Sequence, residues 1–543
     1  MHFNTPLALD LALAPNHLYY GDCLEVMTHW PDASVDTIYG DPPFNSKATY
    51  SILWGNDAGK QKAQLDAFTD MWTWGAEAEE RLRHLTSEGH PARDTIRALL
   101  IKPGRSGMLA YVTYMAERLV EMKRLLKPTG AIYLHCDGTA SHYLKYAMDD
   151  IFGPANYRNE IAWHRTGGSA KGNQHKPRKF GASKDYILFY AMPKHQFNGV
   201  YVPDPDAAQR YPKGDEKGRR FALTPLWRSA GMGPRPSLCY EWRGYTNPHP
   251  SGWRVTMENL EQLYQQGRVY FSEKGTPYRI RYMDEDKGIL LDDMWTDISP
   301  LTGKNKERLG YPTQKPLALL ERILTASSNA GELVLDPFCG CGTTLEAGLK
   351  LGRQVIGIDV SVFALELINT VRFAGKYPAL PIKGIPTDFD SAERLAQTNP
   401  FQFEKWAVWQ TGMMPNVRQT SDSGIDGQGI LGMSPEEDYT ALTLAQVKGG
   451  KQRSYVADVE RFCYTLIERN AACGVFITLR PIGKRSRVYA TAGRLGTITI
   501  GNATYPRLQF WSIQEFYAHG TRPKLPPLVD PYKDRTAQTL LDL

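Results

Sequence analysis

The sequence lacks the long apolar run that a membrane-spanning helix needs, since no uninterrupted apolar stretch approaches ~18 residues. It also has no CxxC pair, and its seven scattered cysteines are odd in number, which argues against a disulfide framework and a structural zinc site. No GxxxxGKS or GxxxxGKT run is present, so any nucleotide-driven translocation would have to come from another protein. The opening residues carry no basic leader and place Asp10 within an apolar stretch, which favours a cytoplasmic protein without a membrane partner.

An excess of one charge is also missing, because 64 Lys and Arg residues stand against 58 Asp and Glu residues, a formal charge of +6. That balance permits a polyanionic partner without requiring one. The chain has 543 residues, and single hydrophobic cores stop growing near ~250–300 residues. We therefore expect two or three domains.

Alternating short β-type and helical segments predict an α/β fold in residues 1–199 and again in residues 310–385. Between them, residues 200–309 are rich in proline, glycine, arginine and aromatic residues, with one helical candidate, MENLEQLYQQ, before Gly267. A polar stretch with prolines, 386–400, is interpreted as a linker. It leads to a second α/β block at 401–525, which a tail of residues 526–543 follows.

An Asp-Pro-Pro-Phe motif, Asp41 to Phe44, directly follows the predicted strand VDTIYG. Two prolines interrupt strand hydrogen bonding and leave their carbonyl groups available as acceptors. Asp41 and the Pro42 carbonyl can then accept hydrogen bonds from one exocyclic amine, while Phe44 offers an aromatic face. A tight turn with a solvated acid is the alternative, but ligands collect at the carboxyl ends of strands in α/β sheets.

A second motif, LDPFCGCGTT from Leu335 to Thr344, has the pattern of a strand, a glycine turn and a helix. Gly340 and Gly342 allow a ligand to approach the backbone, and the amino terminus of the following helix favours an anionic group. Asp359 ends the next predicted strand, where a carboxylate can accept both hydroxyls of a ribose. Capping of the following helix is the alternative role for Asp359, and the two roles can coexist.

Four further segments accompany these two motifs in a fixed order: GDCL at 21–24, LLKPTGAIYLHCD, NEIAWHRT, and YPTQKP at 311–316. With all six, the chain resembles the S-adenosylmethionine-dependent amino-methyltransferases of DNA, in the permuted order that places DPPF before the glycine loop. The resemblance covers roughly residues 17–371. It implies a Rossmann-like mixed sheet with helices on both faces and a target-recognition region inserted at 200–309.

The resemblance also implies roles for individual residues. The target base would be held by Asp41, Pro42, Pro43 and Phe44. The cofactor site would be lined by Asp22 near the adenine, Thr313 and Lys315 near the methionine end, and Asp336, Phe338, Gly340, Gly342 and Asp359. Because S-adenosylmethionine carries an activated methyl group, the protein must mainly orient the amine, and a base within a duplex must first be flipped out.

The first residue of the DPPF motif bears on the choice of target. Asp41 resembles the adenine-N6 enzymes of this family, whereas the cytosine-N4 enzymes more often carry Ser there. Phe44 replaces the commoner Tyr, which keeps the stacking face and loses a hydroxyl. Adenine N6 is therefore the predicted target, and cytosine N4 is the alternative.

Double-stranded DNA is the predicted partner. Arginines alternate with aromatic residues in 200–309, and an arginine can bind either a guanine edge or a phosphate. A glycine-containing basic loop near residue 170 resembles a clamp on the DNA backbone, with an ordinary solvated loop as an equal alternative. The predicted DNA-binding residues are Lys171, Lys176, Arg178, Lys179, Arg228, Arg243 and Arg254.

The block at 401–525 carries a different constellation, in which GIDG around Asp426 precedes AQVKGG. Gln446 and Lys448 project to the same face of a strand and can meet Asp426. Asp426 and Gln446 can supply oxygen ligands to Mg²⁺, and Lys448 can orient water. The pattern resembles the PD-(D/E)xK restriction-endonuclease-like fold in its Mrr-like branch, which implies a further carboxylate from Glu404.

We therefore predict a site-specific DNA methyltransferase fused to an α/β restriction-endonuclease-like domain that cleaves unmethylated DNA, as in restriction-modification. A homodimer or a partner from a restriction system is expected. The alternative is a methyltransferase whose C-terminal domain only binds DNA or a partner.

Overall fold

The structure is a computed structural model that describes residues 10–43, 49–54, 63–69, 72–165, 180–302, 305–311, 313–416, 424–432, 440–450, 454–483, 486–500 and 502–528. The chain forms two compact units, Met1–Asn198 with Asp293–Leu543, and Gly199–Asp292. Among the described residues, none of the helices combines the length and apolar character that a membrane crossing requires.

A nine-stranded mixed sheet lies at the centre of the first unit. In spatial order its strands are Met294–Trp295, Tyr157–His164, Lys184–Ala191, Leu126–Cys136, Val35–Gly40, Leu333–Asp336, Gln354–Asp359, His17–Tyr20 and Ile382–Lys383. Within this sheet Lys184–Ala191 alone runs antiparallel to its neighbours, and the other strands are parallel. The carboxyl ends of the parallel strands therefore lie along one edge, and the predicted mixed sheet is confirmed.

The central strands are buried on both faces, because successive side chains point to opposite sides. Tyr19 and Ile356 belong to one core, whereas Leu18, Tyr20 and Val355 belong to the other. The helices on the first face are Cys23–Thr28, Ala76–Leu85, Arg93–Ile101, Gly107–Leu125 and Ser141–Phe152. Those on the second are Thr343–Lys350, Val362–Leu367, the π-helical turn Ile368–Arg372, Phe389–Thr398 and Pro400–Trp409.

Two smaller elements complete this half of the unit. The helix Leu317–Ser327 packs against Thr343–Lys350. The strands Thr49–Trp54 and Ala63–Thr69 form an antiparallel hairpin after the DPPF motif.

The second unit, Gly199–Asp292, has its own small core of Leu226, Trp242, Trp253 and Leu260. Its antiparallel sheet contains, in spatial order, Val269–Phe271, Pro277–Tyr282, Arg220–Pro225 and Lys213–Gly214. A second pair joins Tyr201–Val202 to Ile289–Leu290. The predicted helix is present as Met257–Gln265, capped by the Thr256 hydroxyl. The unit ends at Asp292, short of the predicted limit at 309, because Met294–Trp295 pairs with the large sheet.

The C-terminal block has a five-stranded sheet in the order Met414–Pro415, Gly427–Gly432, Thr440–Lys448, Cys473–Thr478 and Leu508–Ser512. Its further elements are the helices Val456–Glu468, Arg487–Gly493 and Ile513–His519 and the hairpin Thr497–Ile500 with Ala503–Pro506.

The stretch predicted as a linker, 386–400, is not an open connection. It contains the helix Phe389–Thr398, which begins with a capping box between Asp388 and Ser391. Ala392 and Leu395 of that helix are buried in a core shared with Leu18 of the large sheet and Trp406 of the C-terminal block. The block is therefore part of the first compact unit, because apolar faces from both sides of 386–400 are buried together.

Candidate active site

One pocket opens where four neighbouring parallel strands end. The segments that follow Val35–Gly40, Leu333–Asp336, Gln354–Asp359 and His17–Tyr20 all contribute to it. The predicted site residues that line it are Asp41, Pro42, Pro43, Thr313, Lys315, Asp336, Phe338, Gly340 and Asp359. Phe44 lies outside the described residues. Segments more than 250 residues apart in sequence therefore meet because their strands are adjacent in the sheet.

Asp41 is not a solvated acid. Its carboxylate accepts a hydrogen bond from the Lys315 ammonium, and both side chains are largely buried. Pro42 is buried directly after it. Lys315 also lines the pocket, and its place near the methionine end of a cofactor stays a prediction.

Two glycines of the turn pack closely against neighbouring side chains. Gly340 has a φ of 48°, and a Cβ there would lie 3.2 Å from the Tyr311 ring. Gly342 has a φ of 76°, and a Cβ there would lie 2.7 Å from Ile368. Gly342 is not among the lining residues. The close approach that the structure shows there is to the π-helical turn, and a contact of Gly342 with the cofactor stays a prediction.

A buried arginine holds this turn from behind. The Arg372 guanidinium donates to the Cys341 carbonyl, to Cys341 Sγ at 3.2 Å and to Glu346 Oε2 at 2.7 Å. Arg372 is 2% exposed and is not among the residues that line the pocket, so it binds the Cys341 carbonyl from outside the pocket. The sequence pattern did not reveal Arg372, because an arginine at the end of a helical segment is usually solvated.

Two acids of the pocket are difficult to ionise. Burial raises the pKa of Asp336 to about 7 and that of Asp359 to about 6. Asp359 Oδ2 accepts the Gly340 N–H at 2.9 Å, and Oδ1 accepts the Ser361 N–H at 2.8 Å. Ser361, and not Asp359, caps the helix Val362–Leu367. The capping alternative for Asp359 is thus replaced by a bridge between the glycine turn and the next strand.

Asp22 does not line the pocket, although its neighbours Gly21 and Cys23 do. Its Oδ1 caps the helix Cys23–Thr28 through the Leu24 N–H, at 2.8 Å. Its Oδ2 accepts from Arg118 at 2.5 Å, and the Arg118 guanidinium lies 3.2 Å from the Tyr114 ring centroid. The carboxylate therefore fixes the loop that borders the pocket.

A buried polar chain lies beneath the DPPF motif. The Tyr39 hydroxyl is 2.9 Å from His135 Nδ1, and His135 Nε2 is 3.4 Å from Asp185 Oδ2. Burial and the charges of Asp41, Asp336 and Asp185 raise the pKa of Tyr39 well above its ordinary value. Trp163 is also a core residue, since its indole N–H donates to the Ile298 carbonyl.

The predicted DNA-binding residues are only partly described. Lys171, Lys176, Arg178 and Lys179 lie outside the described residues. Arg243 pairs with Glu261 through Nη2 at 2.7 Å and lies 4.2 Å from the Tyr264 ring centroid. Arg228 donates to the Met232 carbonyl, and Arg254 donates to the Trp227 carbonyl. Arg243 thus contributes to the fold of its unit, and the DNA contacts of all seven residues stay a prediction.

The C-terminal constellation is brought together around the strand Thr440–Lys448. Asp426 Oδ2 accepts the Val447 N–H at 2.7 Å, and Lys448 Nζ lies 3.4 Å from Asp458 Oδ1. Burial and the charge of Asp426 raise the pKa of Glu404 to about 7, while the charge of Lys448 opposes that shift. These charges therefore act on one another across the strand.

Gln446 lies beside these charges and carries a buried amide oxygen. It is 2% exposed, and its Oε1 has no hydrogen-bond partner within the part of the chain that the structure describes. No cluster of three His, Cys, Asp or Glu side chains suited to a metal occurs among the described residues. A divalent cation at this place would therefore depend on carboxylates together with the Gln446 amide oxygen.

The known proteins that this chain resembles are DNA methylases. The profile of the DNA methylase family for N6 and N4 transfer matches residues 35–370. The type II methyltransferase M2.MboI of Moraxella bovis is 46% identical over 354 residues, which are 65% of this chain and 85% of that protein. The type II methyltransferase M.EcaI of Enterobacter cloacae is 36% identical over 275 residues, 50% of this chain and 59% of that protein.

Two further matches have lower sequence identity. The StyLTI Mod subunit, from a type III restriction-modification enzyme of Salmonella typhimurium, is 25% identical over 62% of this chain and 50% of its own length. The chain thus spans between half and three fifths of M.EcaI and this subunit. The solved complex of M1.HpyAVI with its cofactor covers 65% of this chain and 97% of its own at 14% identity, with a TM-score of 0.31 that carries no argument.

Proposed function

Because the chain belongs to the N6 and N4 DNA methylase family, we propose that it transfers a methyl group from S-adenosylmethionine to the exocyclic amine of a flipped adenine in a specific DNA site. The observation that carries the proposal is a single pocket that contains both the Asp41-Pro42-Pro43 acceptors and the glycine turn with Asp359. When bound, the cofactor supplies an activated methyl group. The chain's own residues supply the orientation.

Asp41 and the Pro42 carbonyl have the task of orienting the amine. An aromatic amine is a poor nucleophile because its lone pair is delocalised into the ring. Hydrogen bonds from its two protons to two fixed acceptors favour a pyramidal nitrogen with the lone pair directed at the methyl group. Lys315 donates a hydrogen bond to the Asp41 carboxylate and so holds it in place until the amine arrives.

Asp359 and the glycine turn have the task of holding the cofactor. Asp359 can accept ribose hydroxyls on the lone pairs that the Gly340 and Ser361 N–H groups leave. The amino terminus of Thr343–Lys350 faces the same pocket through Thr343 and Thr344, where a carboxylate is favoured. Asp at the first position of the DPPF motif supports adenine over cytosine N4 as the target.

The test is transfer of a labelled methyl group from S-adenosylmethionine to duplex DNA of mixed sequence. Asp41→Ala should abolish incorporation while the variant still binds cofactor, because Asp41 contacts the base and not the cofactor. Cofactor binding by the wild-type protein without any incorporation into DNA would exclude the proposed activity.

A second function is proposed for the C-terminal block, magnesium-dependent cleavage of unmethylated DNA, because Gln446 Oε1 is a buried acceptor without a donor beside Asp426 and Lys448. Asp426, Gln446 and Glu404 would hold the ion, which would activate water for attack on phosphate. The competing role is DNA or partner binding without cleavage. Association with a restriction system is part of the same proposal, and a Mod subunit is among the relatives.

Cleavage is tested with unmethylated and premethylated duplexes in the presence and absence of Mg²⁺. Lys448→Ala should remove cleavage and leave methylation unchanged, because Lys448 lies outside the methyl-transfer pocket. If the wild-type protein cuts neither substrate, the block is a binding module.

A further inference from the structure

The helix Val456–Glu468 of the C-terminal block is buried on one side only. Phe462 and Leu466 lie on that side, in a core of the block. The other side carries two large apolar side chains that are mostly exposed, Tyr464 at 67% and Ile467 at 61%. Because residues three apart are neighbours on a helix, these two side chains form one exposed apolar patch.

The patch lies within an exposed stripe that runs along the helix at spacings of three and four residues. The stripe consists of Ala457, Glu460, Arg461, Tyr464, Ile467 and Glu468, all of them exposed. Among the residues that the structure describes, none of its three charged side chains forms an ion pair. Two glutamates and one arginine give the stripe a formal charge of −1, which does not favour a polyanion such as DNA.

The charges of the stripe are arranged so that it complements a second copy of itself. Arg461 and Glu468 are seven residues apart, almost two full turns, so both lie along the same side of the stripe. In an antiparallel pair of such helices, a two-fold axis brings residue i of one copy opposite residue j of the other, and j opposite i. An axis perpendicular to the plane of the two helices also keeps that side in common.

The positions of these residues fix the register of such a pair. Positions 461 and 468 are equally far from the point midway between 464 and 465. With the axis at that point, Arg461 of each copy lies opposite Glu468 of the other, and the two Tyr464 rings meet at the centre. Two pairs of opposite charge therefore flank an apolar centre, and each pair satisfies charges that have no partner within the described chain.

We propose that the exposed stripe of Val456–Glu468 is a contact through which two copies of this chain form a homodimer. The stripe lies outside the family match at residues 35–370, so the contact belongs to the C-terminal block. A helix of 13 residues is ~20 Å long, and a contact of that length is smaller than the ~1,200 Å² at which standard interfaces begin. The dimer is therefore weak, with a Kd of roughly 10–100 µM. The pairing depends on neither of the reactions proposed above.

The test is sedimentation equilibrium of the full-length protein at low ionic strength, between about 5 and 200 µM. Wild type should show a monomer–dimer equilibrium. Arg461→Glu places two glutamates opposite each other at both ends of the contact, and Glu468→Arg places two arginines there. Each single reversal should raise Kd roughly tenfold, and the double variant Arg461→Glu/Glu468→Arg should restore the wild-type value.

A mixture of the two single variants tests the register itself. In a heterodimer of Arg461→Glu with Glu468→Arg, each glutamate again lies opposite an arginine. The mixture should therefore associate about as tightly as wild type, although each variant alone associates weakly. A general loss of folding or solubility in either variant could not produce this recovery.

Arg469→Glu is the matched control. Arg469 is exposed and follows the last residue of the same helix, but its distance of five residues from Tyr464 places it about 140° away around the helix. This charge reversal should leave Kd as in wild type. A wild-type protein that stays monomeric up to about 200 µM would overturn the inference. A dimer that both single reversals leave unchanged, or that Arg469→Glu weakens equally, would also overturn it.

Discussion

Lys315 shows how one contact changes the role expected of a residue. Its ammonium binds the Asp41 carboxylate, so we expect Lys315→Met to act on the chemical step. The predicted result is a decrease in kcat of roughly 100-fold, with KM for S-adenosylmethionine nearly unchanged. Steady-state kinetics at varied cofactor concentration measure both constants. A rise in KM with unchanged kcat would show that Lys315 serves the methionine end, as the sequence resemblance implied.

Asp359 sets the pH dependence of the site at the residue scale. Its pKa is raised to about 6 by burial, and a protonated carboxyl has lost an acceptor for the ribose hydroxyls. Affinity for S-adenosylmethionine should therefore be retained above about pH 6 and fall as the pH decreases through that value. Calorimetric titration at several pH values checks this. Asp359→Asn should bind weakly at every pH and lose that acid limb, and a persistent limb in this variant would assign it to another group.

Among the structural elements, the glycine turn is held by a side chain, Arg372, that does not line the pocket. Arg372 binds the Cys341 carbonyl and sulfur and pairs with Glu346. Arg372→Lys keeps the charge beside Glu346 and loses the forked contact to Cys341. We expect KM for the cofactor to rise roughly tenfold with kcat little changed, measured by steady-state kinetics.

Lys376→Met is the control for this prediction. Lys376 binds the other oxygen of Glu346 at 3.1 Å and is 60% exposed, so its loss should leave the glycine turn and cofactor KM as in wild type. Equal effects of the two substitutions would indicate a general loss of the ion pair and not a loss of the anchor on Cys341.

The strands could be predicted from the sequence, whereas the contacts between residues distant in sequence could not. VDTIYG, ELVLDPF and QVIGIDV are strands because short β-branched runs end in turn residues. The pairing of Lys315 with Asp41 was not predictable, because it joins positions 274 residues apart. The helix Phe389–Thr398 was missed because its polar and proline-bearing surroundings resemble a linker, although Asp388 and Ser391 form a capping box that signals a helix start.

At the scale of the whole molecule, a shared core joins the large sheet to the C-terminal block. Leu18 and Tyr20 of the sheet and Phe403 and Trp406 of the block are buried in one cluster. Removing Trp406 from such a core costs roughly 3–5 kcal/mol of unfolding free energy. We therefore expect Trp406→Ala to lower the stability of the methyl-transfer half as well. Calorimetry should show one cooperative unfolding transition, and cofactor binding should be lost at the same temperature.

A different result would separate the two halves. If Trp406→Ala gave two transitions, with cofactor binding retained through the first, the C-terminal block would be an independent domain, as the sequence predicted. Asp94→Ala is a suitable comparison, because this residue lies in the first turn of the helix Arg93–Ile101 on the opposite face of the sheet. It should leave the melting profile close to wild type.

In the proposed reaction, Asp41 and the Pro42 carbonyl orient an adenine amine toward the methyl group of a bound cofactor. The most direct measurement is the identity of the modified base, obtained by incubating the protein with unmodified duplex DNA and isotopically labelled S-adenosylmethionine and analysing the released nucleosides by mass spectrometry. We predict labelled N6-methyladenine and its loss in Asp41→Ala. Labelled N4-methylcytosine would contradict the assigned target, and the absence of any labelled base despite bound cofactor would contradict the proposed methyl transfer.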